Sequence, residues 1–82
     1  MKTKDFMEGL HILHTYYNNP DGYHLGAEHD TIYIYATDTE ITEEDVEHLC
    51  YLGFIQEDVD LEAGEEFAPA NYDPDEGWVA YV

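Results

Sequence analysis

The sequence predicts a small single domain of the α+β class, with the element order α-β-α-β-β. Apolar residues recur at helical spacing in residues 3–18 and 43–52. Short apolar or alternating segments bounded by turn residues mark strands at 31–37, 54–56 and 78–82. Such a mixture favours two helices packed on one face of a largely antiparallel three-stranded sheet. The 82 residues are enough for one modest core.

The first helix is expected to begin at Thr3 and to continue to residue 18. Gly9 lies inside the helical pattern, where it costs about 1 kcal/mol relative to alanine, and it therefore indicates close packing against another element. Residues 23–30 show neither helical nor strand periodicity and are predicted to be an irregular connection. The apolar stripe of this helix consists of Phe6, Leu10, Leu13 and Tyr17.

The second helix has clear signals at both ends. Thr42 is a good N-cap residue, and Gly53 is a typical C-terminal glycine. Val46, Leu49 and Cys50 share one face, which is expected to be buried. As the only cysteine, Cys50 excludes an internal disulfide and is interpreted as a small buried hydrophobe in a reducing compartment.

Strict alternation sets the orientation of the strand that starts at Thr31. Ile32 and Ile34 are expected to face the helices, and Tyr33 and Tyr35 to face the open side of the sheet. In the last strand, Trp78 and Ala80 are expected on one face and Val79 and Tyr81 on the other.

The composition is strongly acidic, since 2 Lys or Arg stand against 20 Asp or Glu and the formal net charge is −18. A surface of this kind repels nucleic acid and anionic membranes and attracts basic proteins. No apolar run approaches the length of about 20 residues that a membrane span needs. We therefore expect a soluble, cytoplasmic protein that binds no nucleic acid directly and no membrane.

Catalytic and metal-binding functions have little support in the sequence. No phosphate-binding loop is found, and the only lysines, Lys2 and Lys4, lie at the N-terminus, so the chain is expected to be neither an enzyme nor a cofactor protein. The histidines of the first 29 residues, together with Glu28 and Asp30, could bind zinc or manganese, but their spacing fits no named pattern. Counter-charges on an acidic surface are the simpler interpretation, so no metal site is assigned.

The acidic residues are interpreted as a pattern that stands in for a phosphate backbone. Carboxylates three or four residues apart on a helix are about 5–6 Å apart, which is in the range of successive DNA phosphates. The expected partner is a basic nucleic-acid-binding protein or complex, with exposed tyrosines as anchors. The predicted binding residues are Glu40, Glu43, Glu44, Glu47, Tyr51, Glu57, Asp58, Asp60, Tyr33 and Tyr35.

Three segments carry a resemblance to a known group of proteins: GAEHDTIYIYATD at residues 26–38, LCYLGFIQED at 49–58 and YDPDEGWVAYV at 72–82. Together they resemble short acidic proteins encoded by phages and prophages, mostly of unassigned role. Small acidic phage proteins include inhibitors of host defence, such as anti-CRISPR proteins and DNA mimics, so the resemblance implies this function in the host cytoplasm. The alternatives are a small structural or accessory phage protein whose acidity serves solubility, and a metal-binding accessory protein.

Overall fold

The computed structural model describes residues 1–19 and 21–82, and its fold is of the predicted α+β class. Its sheet has three antiparallel strands in the spatial order β1-β2-β3. In chain order, the elements are α1 (Thr3–His14), β1 (Leu25–Glu28), β2 (Thr31–Ile34), α2 (Glu43–Leu52), a short 3-10 helix (Pro69–Asn71) and β3 (Trp78–Tyr81). Helices and strands therefore follow one another as α-β-β-α-β, and the predicted order α-β-α-β-β is wrong.

Two strand assignments account for that error. The segment predicted to be irregular contains β1, which pairs with β2. The two strands are joined by a connection of two residues, His29 and Asp30. His29 has a φ of 55°, a left-handed conformation that allows the chain to reverse here. The strand predicted at 54–56 is reduced to a single bridge between Ile55 and Val79. The next residue, Gln56, turns its side chain inward instead of continuing the ladder, as 1% exposure shows.

Helix α1 is shorter than predicted, because it ends at His14 rather than at residue 18. The hydroxyl of Thr15 donates to the carbonyl of Ile12 at 2.7 Å at this end of the helix. Tyr16 and Tyr17 follow as non-helical residues whose hydroxyls bond to other segments. At the start of the helix, Lys2 and not Thr3 occupies the N-cap position, without a side-chain hydrogen bond.

Helix α2 has the predicted bounds and both predicted ends. The Thr42 hydroxyl accepts a hydrogen bond from the backbone N–H of Asp45 at 3.3 Å. Gly53 adopts a left-handed φ of 103° just after the helix, and its N–H bonds back to the carbonyl of Cys50. These bonds confirm both predicted ends. Each end could be recognised in the sequence because its hydrogen bond spans only a few residues.

The core brings together side chains from both helices, from β2 and β3 and from the segments around α2. Its buried members are Leu13, Ile34, Ile41, Val46, Leu49, Leu52, Phe54, Trp78 and Ala80. Gly9 of α1 lies so close to the buried Phe54 ring that a Cβ atom at this position would overlap it, which confirms the close packing predicted there. Cys50 is only partly buried against this core.

The strand orientation agrees with the alternation of the sequence. Ile34 is 2% exposed in the core, whereas Tyr33 and Tyr35 are exposed. Val79 is the register partner of Tyr33 in β2. It is nevertheless buried, since Ile55 pairs with it along the edge of β3 that does not pair with β2. Packing of both helices on one face of the sheet stays a prediction. Within residues 1–19 and 21–82, no helix combines the length and the apolar character needed to cross a membrane.

Candidate protein-binding surface

The ten residues predicted to bind a partner are all exposed, but they do not form one continuous stripe on α2. They are distributed over the start of α2, the open face of the sheet, the far side of α2 and the loop that follows the Ile55 bridge. Three of them, Glu40, Glu43 and Glu47, line a groove together.

This groove lies between the start of α2 and the short 3-10 helix, and its volume is ≈ 580 Å³. Ile41 and Val46 line it from the side of the core, where they are 3% and 2% exposed. Pro69 and Ala70 line it from the 3-10 helix. The groove thus combines an apolar lining with a set of exposed carboxylates. Those carboxylates belong to Glu40, Glu43 and Glu47.

Two tyrosines hold the segment that enters α2 in place. The hydroxyl of Tyr72 accepts a hydrogen bond from the backbone N–H of Ile41 at 3.0 Å. On the other side, the hydroxyl of Tyr16 bonds to the carboxylate of Asp45 and lies 3.2 Å from the Thr42 hydroxyl. The start of the helix is therefore held in place by hydrogen bonds to residues from distant parts of the chain.

Tyr72 also belongs to the groove, and its surroundings alter its acidity. Its ring stacks on Trp78 with 5.9 Å between the ring centroids. Burial raises the pKa of Tyr72, and the charge of Glu40 raises it further, although the hydrogen bond from Ile41 acts in the opposite direction. Glu40 and Tyr72 both line the groove.

The open face of the sheet carries a second group of predicted residues, Tyr33 and Tyr35. Tyr81 lies on the same face, since it alternates with the buried Trp78 and Ala80 of β3. Interaction with the Glu57 carboxylate raises the pKa of Tyr81, because the negative charge disfavours the phenolate. Tyr33 and Tyr81 therefore share one exposed region of the sheet.

The remaining predicted residues lie elsewhere. Glu44 and Tyr51 are on the α2 face that also carries His48, because they are four residues before it and three after it. His48 lies 3.2 Å from a carboxylate oxygen of Glu8 in α1, and both side chains are about half exposed, so this pair contributes little stability. Asp58 and Asp60 lie in the exposed loop after the bridge.

Unpaired acidic charge is the dominant electrostatic feature. In the part of the chain that the structure describes, residues 1–19 and 21–82, the pair between His48 and Glu8 is the only ion pair. Most of the other carboxylates are exposed, and within these residues none of them forms an ion pair, so mutual repulsion disfavours this state. A basic surface that approaches these carboxylates relieves their mutual repulsion and thereby lowers the free energy of the system.

The histidines of the first 29 residues do not assemble a metal site. His11 and His14 are exposed on α1, while the His24 ring stacks on Tyr17 at 3.7 Å and lies 2.8 Å from the carbonyl of Asn19. Among the described residues, no group of three or more His, Cys, Asp or Glu side chains is arranged to hold a metal ion.

A second groove, of ≈ 460 Å³, lies between α1 and β1. Its lining includes His11, His14 and His24 together with apolar side chains such as Leu10 and Leu25, and it contains no carboxylate. It therefore differs in character from the groove at α2.

Several site residues were absent from the sequence prediction. Tyr81 could have been included, because the alternation of β3 already assigned it to the outer face. Ile41, Pro69, Ala70 and Tyr72 could not, since nothing local in the sequence brings residues 69–72 to the start of α2.

No protein family model, no curated protein and no solved structure matches this chain.

Proposed function

We propose that this protein is a non-enzymatic, phage-type inhibitor of host defence that acts as a DNA mimic, in the manner of an anti-CRISPR protein. In the host cytoplasm, its carboxylates occupy the basic nucleic-acid-binding groove of a protein or complex. The observation that supports this function best is the excess of exposed carboxylates, with a formal net charge of −18 and one His–Glu ion pair among residues 1–19 and 21–82.

The positions of the carboxylates on α2 support mimicry of a charged backbone. Glu43 and Glu47 are one helical turn apart, at a spacing of about 5–6 Å that is comparable to the distance between successive phosphates. Glu40 precedes them by three residues and lines the same groove. A protein that holds phosphates with lysines and arginines offers the complementary charge.

Exposed aromatic rings add contact area beside this charge. Tyr51 is 88% exposed and Tyr35 is 57% exposed, so both rings are accessible to a partner. Tyrosine supplies a large rigid contact at low entropic cost, and arginine side chains stack readily on its ring.

Capture followed by displacement tests this function. The immobilised protein is incubated with a nuclease-treated bacterial lysate, and the bound proteins are then eluted with duplex DNA at constant ionic strength. The proposal predicts that a basic nucleic-acid-binding protein or complex is captured and that DNA releases it, because both ligands compete for one groove.

Matched triple variants show which carboxylates act. The variant E40Q/E43Q/E47Q should capture much less of this partner, whereas E62Q/E65Q/E66Q, which removes the same charge from the exposed 58–66 loop, should capture nearly as much as the wild type. Capture only of proteins that DNA does not release would contradict the proposal and favour a structural or accessory phage protein.

A further inference from the structure

The groove between the start of α2 and the 3-10 helix has the chemistry of an arginine-binding site. It is lined by apolar side chains, three carboxylates and an aromatic ring. Its volume of ≈ 580 Å³ lies within the range of about 300–1,000 Å³ that is typical of ligand pockets in proteins. We infer that this groove anchors an arginine side chain of the protein partner and so defines the centre of the interface; this inference rests on the proposed function.

The apolar part of the groove suits the stem of such a side chain. Ile41 and Val46 belong to the buried core, so this side of the groove is rigid. Pro69 and Ala70 line the groove from the 3-10 helix. Arginine buries its aliphatic carbons along apolar surface while its charged group stays near water. Ile41 and Val46 are already almost fully buried and form the floor of the groove, so the apolar area that the arginine stem removes from water belongs mainly to Pro69 and Ala70.

The carboxylates and the tyrosine suit the guanidinium group. Glu40, Glu43 and Glu47 are exposed and have no cationic partner among the described residues 1–19 and 21–82. A guanidinium binds carboxylates through two parallel hydrogen bonds and also stacks on aromatic rings. Tyr72 supplies a ring whose position is fixed by Trp78 and Ile41. Lysine, with a compact ammonium group, cannot use this planar arrangement as well.

Charge excludes two other occupants of this surface. A second copy of the chain would bring another formal charge of −18 to the same place, which mutual repulsion opposes. An anionic ligand would be repelled by the three carboxylates. The groove between α1 and β1 contains no carboxylate, so charge complementarity assigns the arginine to the groove at α2.

Filling the groove without changing its charge provides the sharpest test. Ala70 is exposed on the 3-10 helix and lines the groove, so A70W places an indole where the arginine would lie. Ala63 is an exposed alanine in the acidic loop after Asp60 and gives the matched control A63W. The affinity of each protein for a hexa-arginine peptide is measured by isothermal titration calorimetry at about 0.15 M salt, where surface charges are screened over about 8 Å.

The wild type is expected to bind the peptide, and A70W to bind it about tenfold more weakly, a change that corresponds to about 1.4 kcal/mol. A63W should differ from the wild type by less than about twofold, because surface substitutions away from a binding site change little. Neutralising the groove in E40Q/E43Q/E47Q should also weaken binding by about tenfold, since three exposed charge contacts are lost together. The loop variant E62Q/E65Q/E66Q should retain most of the affinity.

A hexa-lysine peptide tests the choice of arginine, and it should bind more weakly than hexa-arginine. Equal affinity of A70W and A63W, or equal affinity for both peptides, would overturn the inference. Thermal melts of every variant show whether a loss of binding reflects unfolding, and A70L provides a smaller obstruction if A70W is destabilised. The proposed function fails separately, when duplex DNA does not release a captured partner, so the two failures are distinguishable.

Discussion

The buried amide of Gln56 provides a demanding test of the structure. Its side chain is 1% exposed and makes three hydrogen bonds to the backbone of the turn at residues 73–76, just before β3. The amide nitrogen donates to the carbonyls of Asp73 at 2.9 Å and Glu76 at 3.1 Å. The amide oxygen accepts from the N–H of Asp73 at 2.9 Å. Replacement by the similarly shaped methionine keeps the volume and removes all three bonds.

The size of the effect follows from these bonds. Each contributes about 0.5–1.5 kcal/mol, and a partner left unpaired in the interior costs about 1–3 kcal/mol. Asp73 and Glu76 are only partly buried, so water replaces some of what is lost. We expect Gln56→Met to lower the free energy of unfolding by about 2–3 kcal/mol, a large part of the roughly 4–12 kcal/mol available to a domain of this size. The corresponding fall in Tm is about 10–20 °C.

Urea unfolding measured by tryptophan fluorescence is the appropriate assay, since Trp78 is the only tryptophan and is 1% exposed in the core. Asp58→Met, an exposed change two residues away, is the control and should stay within about 0.5 kcal/mol of the wild type. If Gln56→Met also stays within about 0.5 kcal/mol, the amide does not hold this turn and the reasoning fails.

Two further predictions concern the cap of α2 and the acidity of Tyr17. Thr42→Ala should lower the free energy of unfolding by about 1 kcal/mol in thermal melts, because the bond from Asp45 N–H is lost, and Thr42→Ser should restore most of it. Burial and the charge of Asp38 raise the pKa of Tyr17 from 10.0 to about 12, so its neutral form is favoured in the folded protein. Its contribution is therefore fully present below pH 10 and is lost as the pH rises to about 12, and Tyr17→Phe should make the urea midpoint less dependent on pH across this interval. An unchanged pH dependence would contradict the assignment.

Local signals explain which parts of the fold were predictable. Helix α2 has the predicted bounds because Thr42 and Gly53 act on backbone groups only a few residues away. The orientation of β2 follows from its strict alternation, which leaves Ile34 inside and Tyr33 outside.

Long-range bonds explain the errors. Tyr17 fits the apolar stripe of α1, but its hydroxyl bonds to the carbonyl of Tyr35, and the chain has already left the helix there. β1 contains Gly26 and Glu28 and shows no alternation, so only its pairing with β2 makes it a strand. Gln56 fits a strand in sequence, yet its amide bonds to the turn at 73–76 and ends the pairing after one bridge.

The candidate site was predictable in composition and not in arrangement. All ten predicted residues are exposed, as expected for a binding surface. The groove at α2 was not foreseen, because it joins Glu40 and Glu47 to Ala70 and Tyr72 from more than twenty residues further along the chain.

Competition with DNA is the measurement that tests the central claim most directly. The affinity of the captured partner for duplex DNA is measured at increasing concentrations of this protein, at fixed ionic strength. Mimicry predicts that the apparent Kd for DNA rises in proportion to the concentration of the protein without a plateau, because one groove cannot hold both ligands. An apparent Kd that reaches a plateau, or that does not change, would contradict the claim that the acidic surface occupies the nucleic-acid site.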